Sequence, residues 1–374
     1  MTEHNPSAPE IELKIPAPGY WIPESMLFGH STRLLDVWAP EPERIVKPAM
    51  EVGAAEIAIR VFKGNTIELG TQGRTRNPAK MLRRRQTLSM PDKYIYDSRH
   101  DTDANIAHQI DSHASRVLLA RQKLKAALDR DVEIHLIVRS GARGFTLELH
   151  RLLGIPVITT DARVEGRIVH VLCTRVDTQV EGRVVHRGGA SPTDPLLPEI
   201  FDGHQNGAGT SGTSEKIYVS RRGSRTVTNE TEITDLLESR GFKKVYFEDI
   251  PVSEQRRVFG NAREIVAIHG AAIAFLVFNR NGLARPRGDL SGLRLIELFP
   301  AGYTNSMYRR YAAVMNAHWC GVRGQITPED VRDLDVRHLA RAREGSPFRI
   351  DPLSLQMSLD YSARACVGKA SPCG

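Results

Sequence analysis

The chain has 374 residues, 41% of them hydrophobic and 25% charged, and its 51 basic and 44 acidic side chains give a formal net charge of +7. This length suggests about two domains. The modest basic excess favours an anionic partner, but nucleic acid is disfavoured because aromatic residues make up only 6% of the chain and no nucleic-acid motif is present.

The first twenty residues, MTEHNPSAPEIELKIPAPGY, are polar and proline-rich and contain no apolar segment of signal-peptide length. No run of about 18 apolar residues occurs anywhere in the sequence. We therefore expect a cytoplasmic protein. Its basic charge is compatible with peripheral association at the inner membrane face.

The first half of the chain contains a long helical pattern and a strand-helix-strand unit. The segment DANIAHQIDSHASRVLLARQKLKAALD predicts an amphipathic helix that ends near Asp129. VEIHLIVR (132–139) and PVITT (156–160) read as strands, and FTLELHRLLG between them reads as a helix. This alternation indicates a βαβ unit.

A composition shift at residues 187–215 indicates the boundary between domains. The stretch RGGASPTDPLLPEIFDGHQNGAGTSGTSE is rich in Gly, Pro, Ser and Thr and lacks sustained periodicity. We expect a first domain over residues 1–200 and a second over 201–345. Residues 346–374 form a tail whose packing is not assigned, because from about Val331 the pattern is helical and charged and then irregular.

After the linker, strand and helix patterns alternate regularly. Strands are predicted at 216–220, 243–249, 264–268 and 293–299 and at the final WCGV, and helices at 229–241, at 253–260, after 269–272 and at 304–318 with Thr304 as its cap. Asn229 is the expected N-cap of the first helix, with Glu232 at the capping-box position and Gly241 as its stop. This order predicts a parallel α/β sheet with ligands at the carboxyl ends of its strands.

Arginines cluster at the end of the strand at 216–220. The sequence SRRGSRTVTNE places Arg221, Arg222 and Arg225 around a glycine just before a helix. Guanidinium groups, backbone N–H donors and a positive helix end together favour a phosphate. A solvated basic loop is the alternative.

Two further strand ends carry unusual residues. His269, Gly270, Ala271 and Ala272 follow the buried strand EIVAI, where small residues would let a ligand approach the backbone and the histidine would donate or accept a hydrogen bond. Close packing of a helix on the sheet would explain them equally well. Glu297 lies in the apolar strand LRLIELF and could bind a ribose, or form a salt bridge with a nearby arginine.

Several of these segments together resemble the glycosyltransferase 61 family. The resemblance lies in IYVSRRGSRTVTNETEI, in GFKKVYFEDIPVSEQRRVFGNAREIVAIHGAAIAFLVF and in LIELFP, and covers about residues 215–322. Upstream, NIAHQIDSHASR resembles the Asn-x-x-His…Arg helix of the family's acceptor-side domain. Order, spacing and residue type agree across several motifs, so the resemblance is specific.

The resemblance implies a GT-B architecture, in which two Rossmann-like α/β domains with parallel sheets face a central cleft. It implies an inverting enzyme of polysaccharide biosynthesis that moves a sugar from a nucleotide donor, a UDP-sugar being favoured, to a hydroxyl of a glycan or glycoconjugate. The donor would bind the second domain, where the family motifs add Asn229 and Gln255 to the candidate nucleotide ligands. The first domain would then serve the acceptor, through Asn105 and Arg116. No further cofactor is expected.

His108 and Asp111 are the candidates for the catalytic base. His108 matches the family position, and a spacing of three places both side chains on one face of a helix. Either could accept the proton of the acceptor, with the other orienting it. The alternative is a histidine that caps a helix or braces the cleft between the domains.

No metal site is predicted. The motifs DTD (101–103) and DLD (333–335) are short, and neither follows an apolar strand. The cysteines Cys173, Cys320, Cys366 and Cys373 lack CxxC spacing. A nucleotide- or phosphate-binding protein without transferase activity remains the alternative function.

Overall fold

The structure is a computed structural model that describes residues 8–30, 42–67, 86–101, 105–204, 214–302, 305–326 and 345–367. The chain divides into two compact units, and each is assembled from separate segments. The first contains Met1–Gly19, Ala54–Val176 and Ser191–Leu196, and the second contains Tyr20–Gly53, Asp177–Ala190 and Leu197–Gly374. The division of the sequence near residue 200 stays a prediction.

The described residues form seventeen strands. In chain order these are β1 Ile11–Ala17, β2 Tyr20–Ile22, β3 Ser25–Gly29, β4 Glu43–Lys47, β5 Met50–Val52, β6 Ala55–Ile67, β7 Thr87–Asp97, β8 Ile134–Val138, β9 Val157–Thr159, β10 Arg163–Cys173, β11 Val176–Val180, β12 Arg183–Ala190, β13 Lys216–Ser220, β14 Lys243–Tyr246, β15 Glu264–Ile268, β16 Leu293–Phe299 and β17 Ala317–Arg323.

The same residues form nine α-helices. These are α1 Ile106–His108, α2 Ser115–Leu128, α3 Gly144–Leu152, α4 Leu197–Phe201, α5 Glu230–Ser239, α6 Val252–Asn261, α7 Arg280–Leu283, α8 Met307–Val314 and α9 Pro352–Val367. A π-helical turn, Gln109–Ala114, joins α1 to α2, and shorter 3₁₀ turns are Asp194–Leu196, Asp202–His204, Phe247–Asp249 and Ala271–Phe278. None of these helices is both long and apolar enough to cross a membrane.

The first unit contains a mixed six-stranded sheet in the order β1-β6-β10-β7-β8-β9. The last four strands pair in parallel, and the predicted βαβ unit is confirmed as β8, α3 and β9. The other pairs are antiparallel, so a wholly parallel sheet is wrong for this unit. The physical reason is visible in β1, where buried and more exposed residues alternate, as they do in antiparallel sheets with one solvent-exposed face.

The second unit contains a seven-stranded sheet in the order β14-β13-β15-β16-β17-β3-β4. Every pair is parallel except β3 with β4, so the predicted parallel sheet is confirmed here. Strands β13, β15 and β16 have the predicted bounds. Strands β3 and β4 come from the N-terminal part of the chain and were not predicted. A second, four-stranded sheet has the order β12-β11-β5-β2.

Helices α5 and α9 share a hydrophobic cluster on one face of the seven-stranded sheet. Ile233 and Leu237 of α5 are buried together with Leu355 and Leu359 of α9. The expectation of irregular structure near the end of the chain is therefore wrong for α9, which begins at a proline, as helices often do, and has leucines four residues apart on its buried side. Residues 327–344, which include DLD, lie outside the described ranges.

Three other local predictions need correction. Asn229 precedes α5 but does not cap it, since its side chain makes no hydrogen bond to the helix backbone, although Gly241 does end the segment at φ +84°. Helix α8 ends at Val314, because Asn316 adopts φ +52° and turns the chain into β17. The expected linker at 187–215 contains α4, whose leucine, isoleucine and phenylalanine are buried. Thr304 is outside the described ranges.

Candidate anion-binding site

The loops after β13 and β15 leave the seven-stranded sheet at its topological switch point. The chain passes from β13 to β14, which lies on one side of β13, and then to β15, which lies on its other side. In open parallel sheets the loops on either side of such a reversal separate and leave a crevice that binds ligands. Residues 221–225 and 269–272 flank this crevice.

Arg221 and Arg225 converge on one backbone carbonyl in this crevice. The Nη1 atom of Arg221 donates to the carbonyl oxygen of His269 at 3.1 Å, and Nη1 of Arg225 donates to the same oxygen at 3.0 Å. Burial lowers the pKa of Arg221, and the positive charge of Arg225 lowers it further. An anion bound beside the two guanidinium groups would relieve this repulsion. The structure thus brings together the two strand ends that the sequence singled out.

Gly270 is required by this arrangement. A Cβ atom at this position would overlap Nη1 of Arg221. The sequence predicted that small residues here admit a ligand to the backbone, and the group that approaches Gly270 is the Arg221 guanidinium. Within the described residues, the backbone N–H groups of Gly270, Ala271 and Ala272 have no hydrogen-bond partner. Residues 221, 225 and 269–272 are called the switch-point site below.

The side chain of His269 is fixed by Glu297. Nδ1 of His269 lies 2.5 Å from Oε1 of Glu297, and Nε1 of Trp319 donates to Oε2 at 2.8 Å. The imidazole also stacks on the ring of Phe299, with centroids 5.2 Å apart. Glu297 is fully buried. We therefore assign it to positioning His269, not to contact with a ribose or an arginine.

Three other predicted ligands have partners outside the switch-point site. Arg222 donates to both carboxylate oxygens of Asp249 and lies over the ring of Tyr246, 4.0 Å from its centroid. Asn229 exchanges hydrogen bonds with the backbone of Ile350. The Nε2 atom of Gln255 donates to the carbonyls of residues 247 and 250. These three side chains support loops next to the site.

The segment before α9 holds residues 221–225, called the arginine loop below, in place. The backbone N–H of Arg225 donates to the carbonyl of Gly345 at 3.0 Å, and residues 226 and 228 exchange backbone hydrogen bonds with Phe348. Val227 and Phe348 form a parallel bridge. Arg225 has φ +58°, an unusual conformation for a residue with a side chain. These bonds hold that conformation, so the C-terminal segment shapes the switch-point site.

In the first unit, the predicted base lies next to a carboxylate that was not predicted. Asn105 caps α1 by accepting a hydrogen bond from the N–H of Ala107 at 3.0 Å. His108 follows, with 46% of its side chain exposed, and its Nδ1 atom lies 3.6 Å from Oδ2 of Asp101. Nε2 of the buried His113 lies 3.4 Å from the same oxygen. Asp101 thus occupies the place expected for Asp111.

Asp111 does not pair with His108, because the π-helical turn widens the helix at this point. Its Oδ1 atom is buried and has no hydrogen-bond partner among the described residues. Burial lowers the pKa of Arg116, but the nearby Tyr96, Cys173 and Asp111 raise it overall. Asp111 and the predicted acceptor-side residue Arg116 therefore belong to one electrostatic group.

Two buried histidines complete this region. Burial lowers the pKa of His150 to about 3, and its Nε2 atom lies 2.9 Å from Oε1 of Gln109. Burial also lowers the pKa of His113, against the opposing effect of Asp101. Asp101, His108, His113 and His150 are called the histidine cluster below. Only His108 was predicted. His113, five residues later in the same helical segment, was a signal, whereas His150 comes from α3. Within the described ranges, no group of three or more His, Cys, Asp and Glu side chains is arranged so that it could hold a metal ion.

The second unit contains a largely parallel α/β sheet with arginines at its switch point, which places it in the class of open α/β-sheet proteins. The family model of glycosyltransferase 61 matches residues 42–286. The chain belongs to the glycosyltransferase 61 family. Its members transfer sugars and in general use a nucleotide sugar and a glycan acceptor. No curated protein matches the sequence.

Proposed function

We propose that the protein is an inverting, metal-independent glycosyltransferase of GT-B type that moves a sugar from a UDP-sugar to a hydroxyl of a glycan or glycoconjugate in polysaccharide biosynthesis. Family membership supports the reaction class. The donor would bind the second unit and the acceptor the first. No group beyond these two substrates is needed for the transfer.

The arrangement of Arg221 and Arg225 carries this proposal. When the bond between the sugar and the diphosphate breaks, negative charge develops on the leaving oxygen, and donors already aimed at that position stabilise it. The switch-point site offers two guanidinium groups and the N–H groups of residues 270–272, which have no partner among the described residues. These protein groups can take the place that a divalent cation has in metal-dependent transferases.

The base would come from the first unit. Inversion requires a group that accepts the proton of the acceptor hydroxyl as its oxygen attacks the anomeric carbon from the face opposite the diphosphate. His108 is half-exposed and therefore accessible to an acceptor, and Asp101 is close enough to orient its imidazole. We assign the base to His108 and the orienting role to Asp101 in place of Asp111.

Nucleotide binding tests the first part of the proposal. UDP binding by the full chain should weaken about 10–100-fold in Arg221→Ala, because hydrogen bonds to charged groups contribute about 1.5–3 kcal/mol. Arg263→Ala is the matched control: Arg263 precedes the opposite end of β15 and forms an exposed pair with Glu215. Equal UDP affinity in the wild type and Arg221→Ala would show that the diphosphate does not bind at the switch-point site.

Donor turnover tests the second part. A transferase should slowly hydrolyse at least one of a panel of UDP-sugars without an acceptor, and EDTA should leave that rate unchanged. Nucleotide binding without turnover of any donor, with or without candidate acceptors, would instead indicate a binding protein. Loss of turnover in EDTA with recovery in manganese would contradict the metal-independent mechanism.

A further inference from the structure

The second unit contains a cavity of about 370 Å³ that no predicted site residue lines. Its walls are mostly apolar and include Leu27, Met50, Val180, Phe299 and Trp319, and its polar lining includes Lys47 and Ser306. A largely apolar cavity of this size with a few polar groups is typical of small-molecule sites. We call it the lysine pocket.

Lys47 lacks a neutralising partner. Within the described ranges, no acidic side chain forms an ion pair with its ammonium group, although the side chain is partly buried. Burial lowers its pKa, and the charges of Arg309 and Arg323 lower it further. Negative charge on a bound ligand would relieve the repulsion between these cations.

The neighbouring arginines already have partners. Nη2 of Arg309 donates to the carbonyls of residues 23, 47 and 48 at 2.7, 3.1 and 2.6 Å, and its Nε donates to Oγ of Ser25 at 3.0 Å. Nη2 of Arg323 donates to Glu43 at 3.0 Å. These contacts hold the backbone at Lys47 in place. Arg309 also lines the pocket, but its Nε and Nη2 atoms already donate to the protein, so Lys47 is the lining cation whose ammonium group has no partner among the described residues.

The lysine pocket adjoins the switch-point site. Phe299 lines the pocket and also stacks on His269, and Trp319 lines it while donating to Glu297. A group in the pocket would therefore lie next to the residues that fix His269. The pocket is thus linked to His269 through these two aromatic side chains, and its chemistry differs from that of the switch-point site.

We propose that the lysine pocket binds a uronic acid unit, a sugar with one carboxylate, through an ion pair with Lys47. A single available cation matches a monoanion better than a phosphate dianion, which attracts two or more cationic groups. The apolar walls would contact the C–H face of the sugar, and the side chain of Ser306 would reach a hydroxyl. That the carboxylate belongs to a sugar rests on the proposed function, whereas an ion pair between a carboxylate and Lys47 does not.

Ligand-observed NMR titration of the full chain with methyl glucuronide tests this proposal. Methyl glucuronide should bind at least about 10-fold more tightly than neutral methyl glucoside, and Lys47→Met should remove that preference. Lys47→Arg should retain it, because the charge remains. Lys63→Met, at an exposed position of β6, is the control and should behave as the wild type.

Two results would overturn the proposal. One is unchanged methyl glucuronide affinity in Lys47→Met, provided that its thermal unfolding matches that of Lys47→Arg. The other is tighter binding of glucose 6-phosphate than of methyl glucuronide, which would make the pocket a phosphate site.

UDP-glucuronate and UDP-glucose distinguish the two sources of the uronate. If Lys47→Met loses affinity for UDP-glucuronate but not for UDP-glucose, the uronate belongs to the donor. If the wild type binds the two donors with equal affinity and also binds methyl glucuronide, the uronate belongs to the acceptor. Methyl glucuronide binding should persist in Arg221→Ala. If no UDP-sugar binds but methyl glucuronide does, the proposed function fails and the pocket assignment stands.

Discussion

The switch-point site and the histidine cluster hold their polar groups in opposite ways. In the switch-point site two guanidinium groups, which are always charged, share one neutral carbonyl oxygen. In the histidine cluster burial lowers the pKa values of His113 and His150, so these imidazoles are neutral near pH 7. The first arrangement suits a place where negative charge accumulates. The second keeps buried imidazoles uncharged beside His108, the proposed base.

The largest effect should come from the base. His108→Ala should lower the transfer rate about 10²–10⁴-fold and leave UDP affinity unchanged, because general-base catalysis contributes in that range. The two measurements are the initial rate of transfer and the dissociation constant for UDP. Loss of both together would show that His108 supports the donor site instead.

The partner of His108 can be identified with two conservative variants. Asp101→Asn should lower the transfer rate, though less than His108→Ala does, because the imidazole stays in place and loses only the carboxylate that lies 3.6 Å from its Nδ1 atom. Asp111→Asn should leave the transfer rate near that of the wild type, since Asp111 lies with Arg116 and Cys173. A loss of rate in Asp111→Asn alone would restore the assignment predicted from the sequence.

The next largest effect concerns stability. Glu297→Ala should lower the free energy of unfolding by about 3 kcal/mol, because it leaves the N–H groups of two buried rings without an acceptor. Urea denaturation measures this change. Asp360→Ala breaks a half-exposed pair with Arg240 and should cost less than about 1 kcal/mol. Similar costs for the two variants would show that the buried carboxylate is not essential to the switch-point site.

Acid should destabilise the protein through the histidine cluster. The pKa of His150 is lower in the folded state, at about 3, than its ordinary value of 6.5. The unfolded chain therefore binds more protons between these values, and stability falls as the pH decreases below about 6.5, by at most about 1.4 kcal/mol per pH unit for this group. His150→Gln should flatten this dependence, and His113→Gln should act in the same direction. The free energy of unfolding at pH 7, 6 and 5 measures both.

The smallest effect is expected at Gly270. Its φ of 168° is accessible to alanine, so Gly270→Ala should change stability little. The added methyl group would displace the Arg221 guanidinium and should weaken UDP binding roughly 10-fold, about 1.4 kcal/mol. Isothermal titration with UDP measures this. Normal UDP affinity in Gly270→Ala would show that the close approach of Arg221 to the backbone is not used in binding.

The regular part of the fold was readable because each element carries a strong local pattern. Strands β13, β15 and β16 are short apolar runs separated by helices, and the sequence predicted them to the residue. Strands β3 and β4 could not be placed, since the pairing of β3 with β17 joins residues 26–29 to residues 320–323. No local pattern specifies a partner at that separation.

The switch-point site was predictable to a similar degree. Arg221, Arg225 and His269 follow parallel strands, so their proximity follows from the order of the strands. The partners of Arg222 and Gln255 depend on the loop conformation around Asp249, which the sequence does not reveal. In the sequence, Asp101 is only part of the short acidic motif DTD. Its proximity to His108 is visible only in the folded chain.

The bridge between Val227 and Phe348 has a consequence for the order of events during protein synthesis. Thr228 hydrogen-bonds to a residue that lies 120 positions later in the chain. At about 5–20 residues per second, the ribosome adds that residue on the order of ten seconds after the arginine loop. During translation, strands β13 to β16 can pair while Arg225 still lacks the hydrogen bonds that hold its backbone, so part of the sheet can form before the loop at residues 221–225 is held in its final conformation.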